Sequence, residues 1–149
     1  MKQFIRAFGM VPEDGGTREK WLCLWNNRRK CFEFISAEPM AADTFRAQIH
    51  QQVCADLGLS DQQLLTASMA QLNLETSEVL PGETQPCHLA IAFYLTELYG
   101  PDAKSRIQKV PNHRWLNNRE LIGGTSDDGL DVDPVLVHLL RRTEVIQPW

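Results

Sequence analysis

No run in this sequence approaches the roughly 20 apolar residues needed to span a bilayer. The N-terminal segment Met1-Lys2-Gln3-Phe4-Ile5-Arg6-Ala7-Phe8 has a charge inside its apolar run and no long hydrophobic stretch behind it. It therefore reads as a first strand and not as a secretory leader. Cysteine is sparse: Cys23, Cys31, Cys54 and Cys87 lie far apart and form no C-x-x-C pair. That argues against a structural zinc site and a disulfide framework, and predicts reduced thiols in a cytoplasmic protein. There is no excess of positive charge either, with 15 Lys plus Arg against 19 Asp plus Glu and a net charge of -4. Bulk binding to nucleic acid or to an anionic membrane needs a basic face that displaces counterions, so both are excluded as general modes. A local basic patch is not. Internal repeats, low-complexity tracts, G-x-S-x-G, P-loop and Rossmann glycine patterns are all lacking, and nothing marks a haem or organic-cofactor site.

What is present suits one soluble domain. The 149 residues are enough for a single core, and 43% hydrophobic with 23% charged residues is a globular balance. Two aromatic-rich runs, 20–25 and 30–35, flank Asn26-Asn27-Arg28-Arg29 and predict a β-hairpin in which Glu33 faces away from Phe32 and Phe34. Over 42–58 the period changes. Phe45, Ile49, Val53 and Leu57 recur every four residues as the apolar stripe of a helix, with Asp43 in its first turn and Gly58 as a left-handed stop. Strands are predicted at 64–75, 87–98 and 110–116. The second has both faces apolar or small, as an interior strand should, and the third is broken by Pro111 and belongs at an edge. Asp133-Pro134 opens a last helix, with Val135, Leu136, Leu139 and Leu140 turned inward. The order gives a mixed α/β (α+β) domain on a largely non-parallel sheet.

The segment 37–59 resembles the Nudix box, G-x5-E-x7-R-E-U-x-E-E-x-G-U with U a bulky aliphatic, over its whole length without a gap. Val53, Gly58 and Leu59 match, Asp43 stands for the first Glu, and Asp56 for the last. Ala37 replaces Gly, Gln51 replaces Arg, Gln52 replaces Glu, and Ala55 replaces the first Glu of the pair. Phe32-Glu33-Phe34 looks like the strand that leads into the box, and Trp115 with Glu120-Leu121 looks like the segment that often closes such domains. The resemblance, to the Nudix (MutT-like) hydrolase superfamily, covers nearly the whole chain and implies an α/β/α sandwich. It also implies chemistry on a nucleoside diphosphate derivative, with Mg2+ or Mn2+ held by the helical glutamates.

Here the positions of those glutamates are Gln52, Ala55 and Asp56, so one carboxylate of three is kept. A hard divalent cation needs anionic oxygens before it can neutralise pyrophosphate and activate water. Two lost charges weaken its attraction more than geometry recovers. The expected site is at most a weak metal position at Asp56 and Gln52. Glu33, Arg28, Arg29 and Glu97 are candidate ligand-binding residues: the arginines suit phosphate, and Glu33 or Glu97 could replace a lost metal ligand. Glu38 and Glu120 are further acids of the same kind. The acidic run 127–133 lacks an EF-hand register and ends in the N-cap Asp133, and His50, His88, His113 and His138 show no metal spacing. The expectation is a Nudix-like protein with a degraded box that binds a nucleotide-type small molecule with weak or no standard hydrolysis. The alternatives are an active pyrophosphohydrolase with a rewired metal site, or a protein-interaction module. A homodimer is compatible with each, and Pro148-Trp149 hint at a docked tail.

Overall fold

The computed structural model describes residues 1–14, 17–40 and 44–148. The loop glycines Gly15 and Gly16, the expected helix start at Ala42 with Asp43, and the terminal Trp149 lie outside the described residues.

Alternation of apolar side chains across a pleated strand builds the centre of the molecule. Strand β1 (Lys2–Met10) sends Phe4, Phe8 and Met10 to one face and Ile5 and Ala7 to the other, so it can be covered on both. It pairs in parallel with β7 (Cys87–Leu98), from Lys2 opposite Cys87 to Met10 opposite Leu95. The other strand pairs are antiparallel. β4 (Ile35–Ala37) lies on the free side of β1, while β5 (Leu64–Thr66) and β6 (Leu72–Glu78) both lie along the far side of β7. A second sheet has the order β3-β2-β8, from β2 (Lys20–Asn26), β3 (Cys31–Glu33) and β8 (His113–Asn117).

Helix α1 (Phe45–Leu57) lies on one face of the main sheet, with Phe45, Ile49, Val53 and Leu57 buried as the four-residue spacing predicts. Gly58, at φ +68, closes it in the left-handed region, where a side chain is disfavoured, and its N–H donates to the Cys54 carbonyl. Helix α2 (Pro101–Ile107) buries Ala103 and Ile107 in the same layer. On the opposite face, α3 (Asn118–Gly123) and α4 (Pro134–Thr143) bury Leu121, Leu136, Leu139 and Leu140 against Phe8, Leu89, Ile91 and Phe93. The result is an α/β/α sandwich with two apolar layers around a curled mixed sheet.

Five details differ from the sequence-based expectation. The predicted strand 64–75 is two strands, because 67–71 loop out: Thr66 pairs with Thr96, and Leu72 already pairs with Phe93. The second arm of the hairpin also divides after Glu33, where buried Phe34 carries the chain from the small sheet to the large one. The edge strand begins only at His113, beyond Pro111, whose missing N–H removes a ladder donor. Helices α2 and α3 were not predicted; each is short, and α3 rests on a capping box in which Asn117 accepts from the Glu120 N–H. Val137 joins the inward residues of α4, and Val135 is only partly buried.

Candidate functional site

The apolar stripe of α1 determines which residues of the box are presented to solvent. With Ile49 and Val53 fully buried against β1, the opposite edge carries Gln52, Ala55 and Asp56. The approach is tight: a Cβ on Gly9 of β1 would lie 2.8 Å from Val53 Cγ2, so the helix can seat here only over a glycine. Along the exposed edge, the Gln52 side-chain amide donates to Asp56 Oδ1 at 2.8 Å, the i,i+4 contact of a helix surface.

Asp56 faces a cleft of about 460 Å3 lined also by Leu24, Trp25, Asn26, Asn27, Glu33 and Asn112. Its walls come from the β2–β3 hairpin, α1 and the loop before β8. Glu33 accepts from Asn26 Nδ2 at 3.0 Å and is ion-paired with Arg29, whose other terminal nitrogen donates to Asp133 Oδ1 at 3.0 Å. The Asp133 hydrogen bond, with Glu33 behind it, holds the Arg29 guanidinium firmly protonated. Asn26 Oδ1 accepts the backbone N–H groups of Arg28 and Arg29, which shapes the hairpin turn, and Asn112 Nδ2 donates to the Trp25 carbonyl. Among the described residues, the lining thus combines three side-chain amides and two carboxylates with Leu24 and the Trp25 strand backbone, and it includes no Lys or Arg.

Desolvation pushes the Asp56 carboxyl above its ordinary value, and the Gln52 hydrogen bond only partly opposes this. The sign has a consequence for stability. A carboxylate with a raised folded-state pKa costs nothing below its unfolded value near 3.8, and costs increasingly as pH rises through the folded-state value. Asp56→Asn keeps an acceptor for Gln52 and loses the charge. It is expected to raise the melting temperature at pH 7, with the gain shrinking as pH falls toward 4. A lower melting temperature at pH 7 would mean that the negative charge is compensated in the fold.

The structure brings Asp56, Gln52 and Glu33 to one place, with Arg29 joined through Glu33. It does not bring Glu97 or Arg28 there. Glu97 is exposed near the end of β7, opposite Leu65 of β5, and Arg28 is exposed at the hairpin tip. Glu38 pairs with Arg6, and Glu120 accepts the backbone N–H groups of Asn117 and Asp127 as part of the α3 cap, so its role is structural. The acidic run 127–133 is divided among other tasks: Asp128 is held below the usual carboxylate range by the Ser126 hydroxyl and then by Arg114, and Asp133 caps α4. Trp25, Asn26 and Asn112 are cleft residues that sequence reasoning missed. Asn26 was visible only as a turn residue, and no local signal ties Asn112 to the hairpin.

A divalent cation is what the resemblance implies here, and the donor set does not fit a tight site. Gln52 turns an N–H donor toward Asp56, Ala55 offers no ligand, and Glu33 is already neutralised by Arg29. Among the described residues no group of three or more His, Cys, Asp or Glu side chains is placed to hold a metal.

No protein-family model matches the chain, and no curated protein matches it in sequence. Solved structures do match in fold. An Ap4A hydrolase from C. elegans superposes with a TM-score of 0.58 at 13% identity, over 94% of this chain and 95% of that one. A Nudix hydrolase from M. smegmatis, RenU, gives a TM-score of 0.53 at 14% identity, over 95% of this chain and 83% of that one. Strand order, helix layers and these superpositions agree: the chain has the Nudix hydrolase fold.

Proposed function

We propose that this is a Nudix-fold binding protein for a nucleotide-type, diphosphate-containing ligand, with weak or no standard hydrolysis. The observation that carries the reading is the Gln52–Asp56 contact: one carboxylate on the edge of α1, with an amide hydrogen where a cation would need an oxygen. The cleft beside it retains what recognition requires. The side-chain amides of Asn27 and Asn112 line it and supply both donor and acceptor atoms for a base edge or ribose hydroxyls.

The test is a melting-temperature screen against nucleotide sugars, dinucleotides and nucleoside di- and triphosphates, with and without Mg2+, alongside a phosphate-release assay. A ligand at about 100 times its Kd stabilises by about 2.7 kcal/mol, which for a chain of this size is a rise of roughly 5–10 °C. The expected outcome is such a rise for at least one ligand, with phosphate release at blank level. If none shifts the melting temperature at saturating concentration, the reading fails.

A second reading has one observation in its favour: Glu33 and Asp56 share the cleft. If Arg29 releases Glu33 when substrate binds, two carboxylates face one space, and a rewired Mg2+ or Mn2+ pyrophosphohydrolase follows. Metal-dependent phosphate release that disappears in Asp56→Ala would establish that enzyme instead.

A further inference from the structure

A second cavity, of about 770 Å3, lies on the α4 side of the hairpin and shares no lining residue with the box cleft. Its size is that of small-molecule sites. In a chain of net charge -4, four of the 15 Lys and Arg residues line it: Arg29, Lys30, Arg141 and Arg142. Among the described residues, Asp131 is its one carboxylate.

These cations are not equivalent. Arg29 is committed to Glu33 and Asp133. Arg142 gives its Nε to Glu78, and Arg141 gives its Nε to the Ile122 carbonyl at 2.7 Å, so among the described residues neither commits its terminal nitrogens. Lys30 Nζ donates to the neutral Asn27 side chain, at 2.9 Å. Among the described residues, no carboxylate pairs with Lys30 or Arg141. The rest of the lining is largely apolar, from Pro81, Val132 and Val137, apart from the His138 imidazole, which is paired with Glu78.

We infer that this cavity is a site for a small phosphate monoester with a compact apolar body, separate from the box cleft and independent of the function proposed for it. A terminal phosphate brings nearly two charges and three acceptor oxygens, which suits three donor-bearing heads, whereas a carboxylate offers two oxygens and one charge. The apolar lining excludes a purely inorganic ion as the preferred occupant, because such an ion leaves that surface in contact with water.

Phenyl phosphate is the probe, followed by calorimetry or by amide chemical shifts on the whole chain, with inorganic phosphate, phenol and benzoate in parallel. The expected result is saturable binding of phenyl phosphate at about 1 mM or tighter, with each of the other three at least about tenfold weaker. Lys30→Asn and Arg141→Ala should each weaken it by about tenfold. Lys30 has φ +57, a conformation that Asn tolerates, so Lys30→Asn tests the site without straining the turn if Arg141→Ala loosens α4. Undetectable binding, equal binding of inorganic phosphate or benzoate, or affinity unchanged in both variants would overturn the proposal. Loss of binding in Asp56→Asn alone would place the probe in the box cleft and overturn it as well.

Discussion

Phe93→Ala is expected to cost about 3–5 kcal/mol, the range for emptying a fully buried aromatic position. Phe93 is 0% exposed at the middle of β7 and stacks on Phe8 with ring centroids 4.8 Å apart. Its strand is paired on both edges, with β1 on one side and with β5 and β6 on the other, so the backbone cannot easily shift to fill the space. The whole margin of a domain is about 5–15 kcal/mol, and the loss therefore removes much of it. Urea denaturation should show a midpoint lower by roughly 1–3 M with the slope unchanged. A loss under about 1 kcal/mol would mean that the layer beneath α4 collapses around the gap, contrary to a close-packed core.

Placing acids at two helical positions of α1, Gln52→Glu with Ala55→Glu, is expected to create divalent-ion binding stronger than that of the native chain. Positions 52, 55 and 56 share one edge of α1, so the double variant places three carboxylates within reach of one cation. Before metal is added they repel one another, by about 0.2–0.5 kcal/mol for an i,i+4 pair, and the melting temperature of the variant should fall. Mg2+ should restore it, with an affinity at least about tenfold above that of the native chain, equivalent to about 1.4 kcal/mol. Calorimetric titration with Mg2+ checks both halves. An unchanged Mg2+ affinity would show that this edge is not where the fold concentrates a cation, and the assignment of Asp56 as a remnant of a metal site would fall.

Local residue chemistry made much of this molecule legible before its structure was known. The four-residue stripe from Phe45 to Leu57, the Gly58 stop, the Asp133-Pro134 helix start and the doubly apolar strand Cys87–Leu98 are statements about short-range periodicity and capping. All four are present as expected. The box resemblance also rests on local spacing, and the fold agrees with it. What stayed hidden depends on partners distant in sequence. Glu97, at the end of the interior strand, was preferred to Glu33 as a replacement for a lost ligand, and the packing of the hairpin against α1 reverses that order. Glu120 was one more candidate acid, and only the structure shows its carboxylate closing the cap of α3.

Composition makes the chain acidic and predicts no general affinity for nucleic acid, and the segment that resembles the box holds one carboxylate at its three helical acid positions. The tertiary structure decides where the remaining charge is effective. Asp56 is bonded to Gln52 in one cleft, Glu33 of that cleft is bound to Arg29, and among the described residues Lys30 and Arg141 have no carboxylate partner in a different cavity. The reason is physical: a side chain's charge belongs to its residue, but its desolvation and its pairing belong to the surfaces that folding brings together.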